Sequence, residues 1–112
     1  MPVLSIVVPT LARADTLKSA LATLAVQTNH NCEFIVQNNG ADRETEKLVG
    51  ALDDPRVKHF STPRVETMTD NWELALAHAS GDYVMFIGDD DGFLPDGCPI
   101  AADIVERERP EI

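Results

Sequence analysis

Residues 80–95 read SGDYVMFIGDDDGFLP. Five apolar residues, Tyr83 to Ile87, run between Gly81 and Gly88. A short, continuous apolar run bounded by turn residues reads as a strand buried on both faces, and such strands belong to parallel sheets covered by helices. The strand is driven straight into Asp89, Asp90 and Asp91. Two carboxylates ~4 Å apart repel by about 1 kcal/mol in water and by several times that near a protein surface. Either the triplet is a solvated acidic loop, or a cation relieves it. Oxygen ligands alone suit Mg²⁺, Mn²⁺ or Ca²⁺ better than zinc. In an extended segment residues i and i+2 face the same way. Asp89 and Asp91 could then share one ion with Asp90 turned away, unless a turn reverses this.

Outward from this stretch the chain alternates regularly. Upstream, VLSIVV (3–8) is a buried strand stopped by Pro9 and Thr10, and Leu17, Leu21 and Leu24 mark a helix from about Asp15 to Ala25. CEFIVQ (32–37) is a second strand, followed by the turn residues NNGAD (38–42). Asp42 caps a second helix that turns Leu48, Val49 and Leu52 inward. RVKHFS (56–61) is a third strand. Asp70 and Glu73 have the spacing of a capping box, opening a helix with Trp72, Ala75, Leu76 and Ala79 on one face. Gly81 suits a left-handed turn after that helix. Downstream of the triplet, Ile100, Ile104 and Val105 suggest a last helix that frays at Pro110. Four strand–helix pairs in succession predict one α/β domain over residues 1–112, with helices on the faces of a parallel sheet. Ligands of such sheets bind beyond the carboxyl ends of the strands, at a topological switch point.

Charge agrees with that placement. The chain of 112 residues has a net charge of −10. Between Arg64 and Arg107 there is no Lys or Arg, and ten acidic residues fall there, so the excess sits in one segment centred on the triplet. Nucleic acid is an unsuitable partner for this surface. No stretch reaches the ~20 apolar residues of a membrane span. The N-terminal run lacks a basic region, so it reads as a strand, and Cys32 and Cys98 are expected as reduced thiols in the cytoplasm. EF-hand spacing, a P-loop and a dinucleotide-binding glycine motif are all absent. His30, His59 and His78 lack metal-ligand spacing. Trp72 reads as core or as a sugar platform, Asn71 as a donor contact or a surface residue, and Arg13 as a phosphate partner or a solvated side chain.

Three stretches together resemble family 2 glycosyltransferases of the GT-A fold. LSIVVPTLARADTLKSALATLAVQT (4–28) is similar to their S-I-V-V-P-T-x-N-R opening and the L…L…Q-T that follows. FIVQNNGADRET (34–45) resembles their I-V-V-D-D-G-S-x-D-x-T. DNWELALAHASGDYVMFIGDDDGFLPDG (70–97) resembles N-x-x-x-A…G-x-Y-x-x-F-L-D-x-D-D-x-x-x-P. The resemblance implies a three-layer α/β/α, Rossmann-like nucleotide-binding domain that transfers a sugar from a nucleoside-diphosphate donor, with UDP as the expected nucleotide. It further implies nucleotide contacts from Pro9, Thr10, Arg13, Asn38, Asn39, Asn71, Asp89 and Asp90. A divalent cation, Mn²⁺ or Mg²⁺, would be held by a D-x-D motif, here Asp89 and Asp91. The acceptor would be a carbohydrate or lipid-linked, which would bring a cytoplasmic protein to the inner face of the membrane. Asn38 stands where the family has an acid, and Gly88 stands at the first D-x-D aspartate. The acceptor-binding half and the catalytic base of such enzymes are expected beyond the stretch matched here. The alternative is a non-catalytic or truncated nucleotide-binding module, and a homodimer covering the uncompleted side is a further expectation.

Overall fold

The computed structural model describes residues 2–110. Its elements are β1 (Leu4–Thr10), α1 (Ala14–Ala25), β2 (Cys32–Asn38), α2 (Arg43–Gly50), β3 (Val57–Ser61), α3 (Met68–Ala77), β4 (Tyr83–Phe86) and α4 (Gly97–Glu108). All strand pairs are parallel, in the order β3-β2-β1-β4. Every residue of β1 and β2 is buried, while the edge strands β3 and β4 are mostly half-buried. The expectation that the run from Tyr83 is buried on both faces is thereby corrected: β4 is an edge strand and its residues are half-buried, while the buried central strands carry Ser5, Glu33 and Gln37 among their apolar residues.

Strand alternation divides the core into two layers of contact. Leu4, Ile6 and Val8 with Phe34 and Val36 meet Leu17, Leu21 and Leu24 of α1, Val49 of α2, and Cys98 and Ala102 of α4. On the opposite face Val7 and Ile35 pack with Ala75 of α3, flanked by Phe60, Val84 and Phe86. The three layers are therefore uneven, with α3 the helix of the second face. On that face Glu33 is buried, accepting from the Ser5 hydroxyl and from the N–H and hydroxyl of Ser80, with Lys58 at 3.2 Å. Burial alone would raise this carboxyl, but those partners hold it at about 2.

Several local expectations are corrected. β1 continues through Pro9 and Thr10. The N–H that Pro9 lacks would point toward β4, which has already ended opposite Val7, so no ladder bond is lost. The cap of α3 is Thr67, an extended residue whose hydroxyl accepts from Asp70 N–H at 3.1 Å; Asp70 lies inside the helix. With that start the buried face carries Asn71 and Ala75, and Trp72 and Leu76 are exposed. Gly81 is not left-handed. A Cβ there would stand 2.7 Å from Ser5 Oγ, so glycine permits close approach to β1. On α4 the buried positions are Cys98 and Ala102, while Ile100 and Ile104 face outward. Both cysteines are free and buried; burial pushes both thiols up, Cys98 to about 12, which leaves them poor nucleophiles. His59 faces Glu46 and His78 stacks on Phe60 at 3.6 Å, so both are structural. Among the described residues no helix is long and apolar enough to cross a membrane.

Candidate functional site

The strand order changes direction at β1, between β2 and β4, and a crevice forms there at the carboxyl ends. A cavity of about 390 Å³ occupies it. The end of β1 supplies Pro9, Thr10, Leu11 and Arg13; the end of β2 supplies Asn39. Glu66, Met68, Asn71 and Trp72 come from α3 and its approach, and Gly88, Asp89 and Asp90 follow β4. Seven of the expected binding residues thus converge. Asn38 and Asp91 do not line the cavity.

The triplet is a turn, so the extended geometry expected to pair Asp89 with Asp91 does not occur. Asp91 N–H donates to Gly88 O at 3.1 Å, and Gly88 N–H donates to Asp91 Oδ2 at 3.0 Å. Asp89 turns inward. Its Oδ2 accepts from Thr10 Oγ1 at 2.8 Å and its Oδ1 lies 3.0 Å from Arg13 Nη1. Asp90 turns outward, with Oδ2 at 3.8 Å from Arg13 Nη2. Arg13 reaches back because Ala12 adopts φ +48, a left-handed geometry rare for a residue with a Cβ.

Two residues outside the expected set hold the acidic loop down. Thr23 Oγ1 accepts from Phe93 N–H at 3.1 Å. Gln27 is buried, donates to Thr23 O and Leu94 O, and accepts from Cys98 N–H at 3.0 Å. Gln27 stands at the glutamine of the Q-T pattern, but one-dimensional spacing gave no sign that it reaches 71 residues ahead.

The three asparagines do different work. Asn39 is spent on the protein: its amide donates to Glu66 O and its oxygen accepts from Glu66 N–H and Thr62 Oγ1. Asn38 is fully buried and donates to Asp42 O and Glu46 Oε1, which leaves Oδ1 without a partner. Both donors of that amide are consumed, so only an acceptor remains. Asn71 is 3% exposed, lines the cavity, and its Oδ1 has no partner. A buried polar atom left open beside a cavity costs stability unless something else satisfies it. Trp72 stacks on Phe86 with ring centres 4.8 Å apart and lines the same cavity, so it is neither core nor free.

Among the described residues no three His, Cys, Asp or Glu side chains form a metal cage. Yet Asp90 Oδ1 and Asp91 Oδ2 each lie 2.8 Å from the point a Cβ on Gly88 would occupy. Two carboxylate oxygens therefore meet over a bare α-carbon. Mg²⁺ is commonly held by one or two carboxylates and completed by phosphate and water. The donor set fits a cation shared with a phosphate ligand and does not fit an all-protein cage.

A parallel α/β sheet with a crevice at its switch point is a Rossmann-like arrangement. The chain matches glycosyl transferase family 2 over residues 5–112 and belongs to that family. It is 34% identical over 97 residues to the GalNAc(5)-diNAcBac-PP-undecaprenol beta-1,3-glucosyltransferase of Campylobacter jejuni, covering 84% of this chain and 31% of that protein. An uncharacterized glycosyltransferase of Haemophilus influenzae is 31% identical, over 81% of this chain and 37% of the relative. The chain thus spans about a third of the length of these relatives. S. aureus TarS 1–349 superposes with a TM-score of 0.86 at 21% identity, over 97% of this chain and 33% of that one, and has been solved with UDP and with UDP-GlcNAc. The mannosyltransferase PcManGT of Pyrobaculum calidifontis, solved with GDP-Man and Mn²⁺, superposes with a TM-score of 0.76 at 20% identity, over 92% of this chain and 31% of that one. These likenesses establish the GT-A fold.

Proposed function

We propose that residues 1–112 form the nucleotide-sugar-binding half of a glycosyltransferase whose donor is a nucleoside-diphosphate sugar, UDP-linked, and whose reaction is assisted by Mn²⁺ or Mg²⁺. The observation that carries this is the cavity between β1 and β4, which joins the unpartnered oxygen of Asn71 to the acidic turn. An anionic diphosphate would be repelled by Asp89–Asp91 unless a cation stood between them. When bound, that cation would offset charge building on the departing nucleoside diphosphate. Asp90 and Asp91 would hold it through the oxygens over Gly88, with Asp89 behind them. Thr10 keeps Asp89 turned inward, and Thr23 and Gln27 hold the loop that carries all three. Asn71 offers an acceptor to a ribose or sugar hydroxyl. Asn38, fully buried and outside the cavity, works on the protein side by holding Asp42 and Glu46.

TarS with UDP and UDP-GlcNAc supports a uridine donor, and PcManGT with GDP-Man and Mn²⁺ supports the cation. The lipid-linked substrate named for the Campylobacter relative supports a carbohydrate or lipid-linked acceptor; work at the cytoplasmic face of a membrane is part of the same proposal. No residue here is assigned as catalytic base, and transfer by these 112 residues alone is expected to be slight. Met68, Trp72 and Leu76 are exposed on α3 beside the edge strand β4. A homodimer covering the apolar surface around Leu76, clear of the cavity that Met68 and Trp72 line, is part of the proposal, and light scattering that gives a monomer at high concentration would remove it.

Trp72 is the sole tryptophan, so its fluorescence reports directly on the cavity. UDP with Mn²⁺ is expected to change it saturably, with affinity about tenfold weaker in Asn71→Ala, the equivalent of one hydrogen bond. No response to UDP, GDP or their sugars would contradict the assignment.

A further inference from the structure

We propose that Arg13 competes with the cation for the carboxylates of the acidic turn, and that cation binding releases it toward the diphosphate. This rests on reading the cavity as a cation-assisted diphosphate site. The starting point is a conflict of charge. Arg13 Nη1 lies 3.0 Å from Asp89 Oδ1, and Nη2 lies 3.8 Å from Asp90 Oδ2. Among the described residues these are the ion pairs the triplet makes, and both come from Arg13. The segment from residue 65 to 106 contains no Lys or Arg of its own to share the task.

Among the described residues no other group pairs with this side chain. Arg13 stands at the N-cap position of α1, but its side chain makes no capping hydrogen bond. The left-handed turn at Ala12 brings it over the acids. The Asp89 side chain is 6% exposed and the Arg13 side chain 51%, so the anion is fixed and the cation is the movable partner. Arginine side chains lose entropy when held, and a half-exposed pair is easily exchanged.

A divalent ion and a guanidinium repel one another and would draw on the same carboxylates. Asp90 makes the competition concrete: one oxygen faces Arg13 and the other lies over Gly88 beside Asp91. A cation taken up there displaces the guanidinium. The freed Arg13 remains tethered at the rim of the cavity, where a diphosphate is the anion that can take it bidentately. Coupling of this kind is reciprocal: if the cation frees Arg13 for the nucleotide, the nucleotide must tighten the cation by the same factor. A merely structural Arg13, one that only orients Asp89, makes the opposite forecast. Its loss would disorder the carboxylates and weaken the cation.

The test is Mn²⁺ binding, read from the electron paramagnetic resonance signal of the free ion, for the wild-type chain, Arg13→Gln and Arg13→Lys. Melting curves check that all three are folded. Without nucleotide, Arg13→Gln is expected to bind Mn²⁺ about fivefold more tightly than wild type, with Arg13→Lys between them. With UDP added, the gain in Mn²⁺ affinity seen for wild type should shrink in Arg13→Gln. Equal or weaker Mn²⁺ binding by Arg13→Gln without nucleotide overturns the proposal but leaves the cation site standing. If no variant binds Mn²⁺ while UDP still perturbs Trp72, the cation and this role of Arg13 both fall and the nucleotide pocket survives. If neither Mn²⁺ nor UDP binds, the reading of the cavity falls with them.

Discussion

Gly88 replaces the aspartate that the family pattern carries, and the structure supplies a reason for a residue without a side chain there. A Cβ would stand 2.8 Å from both Asp90 Oδ1 and Asp91 Oδ2. Gly88→Ala is expected to push these carboxylates apart and to weaken Mn²⁺ binding about tenfold, an estimate that takes the loss as one good ligand contact. The melting temperature should fall only slightly, because the displaced groups are side-chain ends and only Asp91, which accepts from Gly88 N–H, holds a bond in the turn. Glu33 is the opposite case, a charge with a structural task. Its carboxyl is held at about 2, below the 4.5 it has when unfolded. Its contribution is therefore complete above pH 4.5 and is lost as pH falls toward 2. Glu33→Gln is expected to cost on the order of 3 kcal/mol at neutral pH and to flatten the acid-unfolding curve across that window. An unchanged curve would show that the Ser5–Glu33–Ser80 cluster does not pin β4's approach to the sheet. At this scale the sequence named candidate residues but not their states. Asp89, Asp90 and Asp91 look equivalent in one dimension, yet one is buried against Thr10, one is exposed and one closes a turn.

Among the elements, α1 does more than cover the sheet. Thr23 and Gln27, at and just beyond its last turn, hold the backbone at Phe93, Leu94 and Cys98. Gly92 leaves room for this, since a Cβ there would meet Thr23 at 2.9 Å. Gln27→Leu leaves Cys98 N–H buried and unpaired, and is expected to cost about 2–3 kcal/mol. Hydrogen exchange should then rise over residues 92–98 while β1 and β2 stay protected, and Mn²⁺ should bind more weakly. Uniform loss of protection would instead mark Gln27 as a core residue with no link to the loop. Thr67→Ala should cost ~1 kcal/mol as a lost cap of α3. Asp70→Ala should cost less, which separates the observed cap from the one predicted by spacing. The order and type of all eight elements were legible because the apolar runs are short and the helical periods clear. The faces of α3 and α4 were not. Periodicity gives a stripe, but here the buried stripe on α3 holds both Ala75, which packs on Val7 and Ile35, and Asn71, which lines the cavity. On α4 the bond from Cys98 to Gln27 turns the helix in a way no local pattern records.

Across the whole molecule, charge and topology converge on one end. The sheet ends in a crevice at β1 and β4, and the acidic excess of residues 65–106 has its densest point there. Nucleotide binding should therefore depend on a cation to a degree that screening by monovalent salt cannot replace. Ligand linkage gives the expected stabilisation: with Mn²⁺ and UDP at about 100 times the dissociation constant, folding gains ~2.7 kcal/mol. For a domain of this size that raises the melting temperature by roughly 10 °C or more. Either component alone should give much less.

The most direct measurement is calorimetric titration of UDP into the wild-type chain and into Asp90→Ala, each with and without Mn²⁺. Saturable binding that requires Mn²⁺ and disappears in Asp90→Ala is the expected result. Binding of equal strength with and without the metal, or binding untouched by loss of Asp90, would contradict the acidic turn as the cation-bearing floor of a diphosphate site.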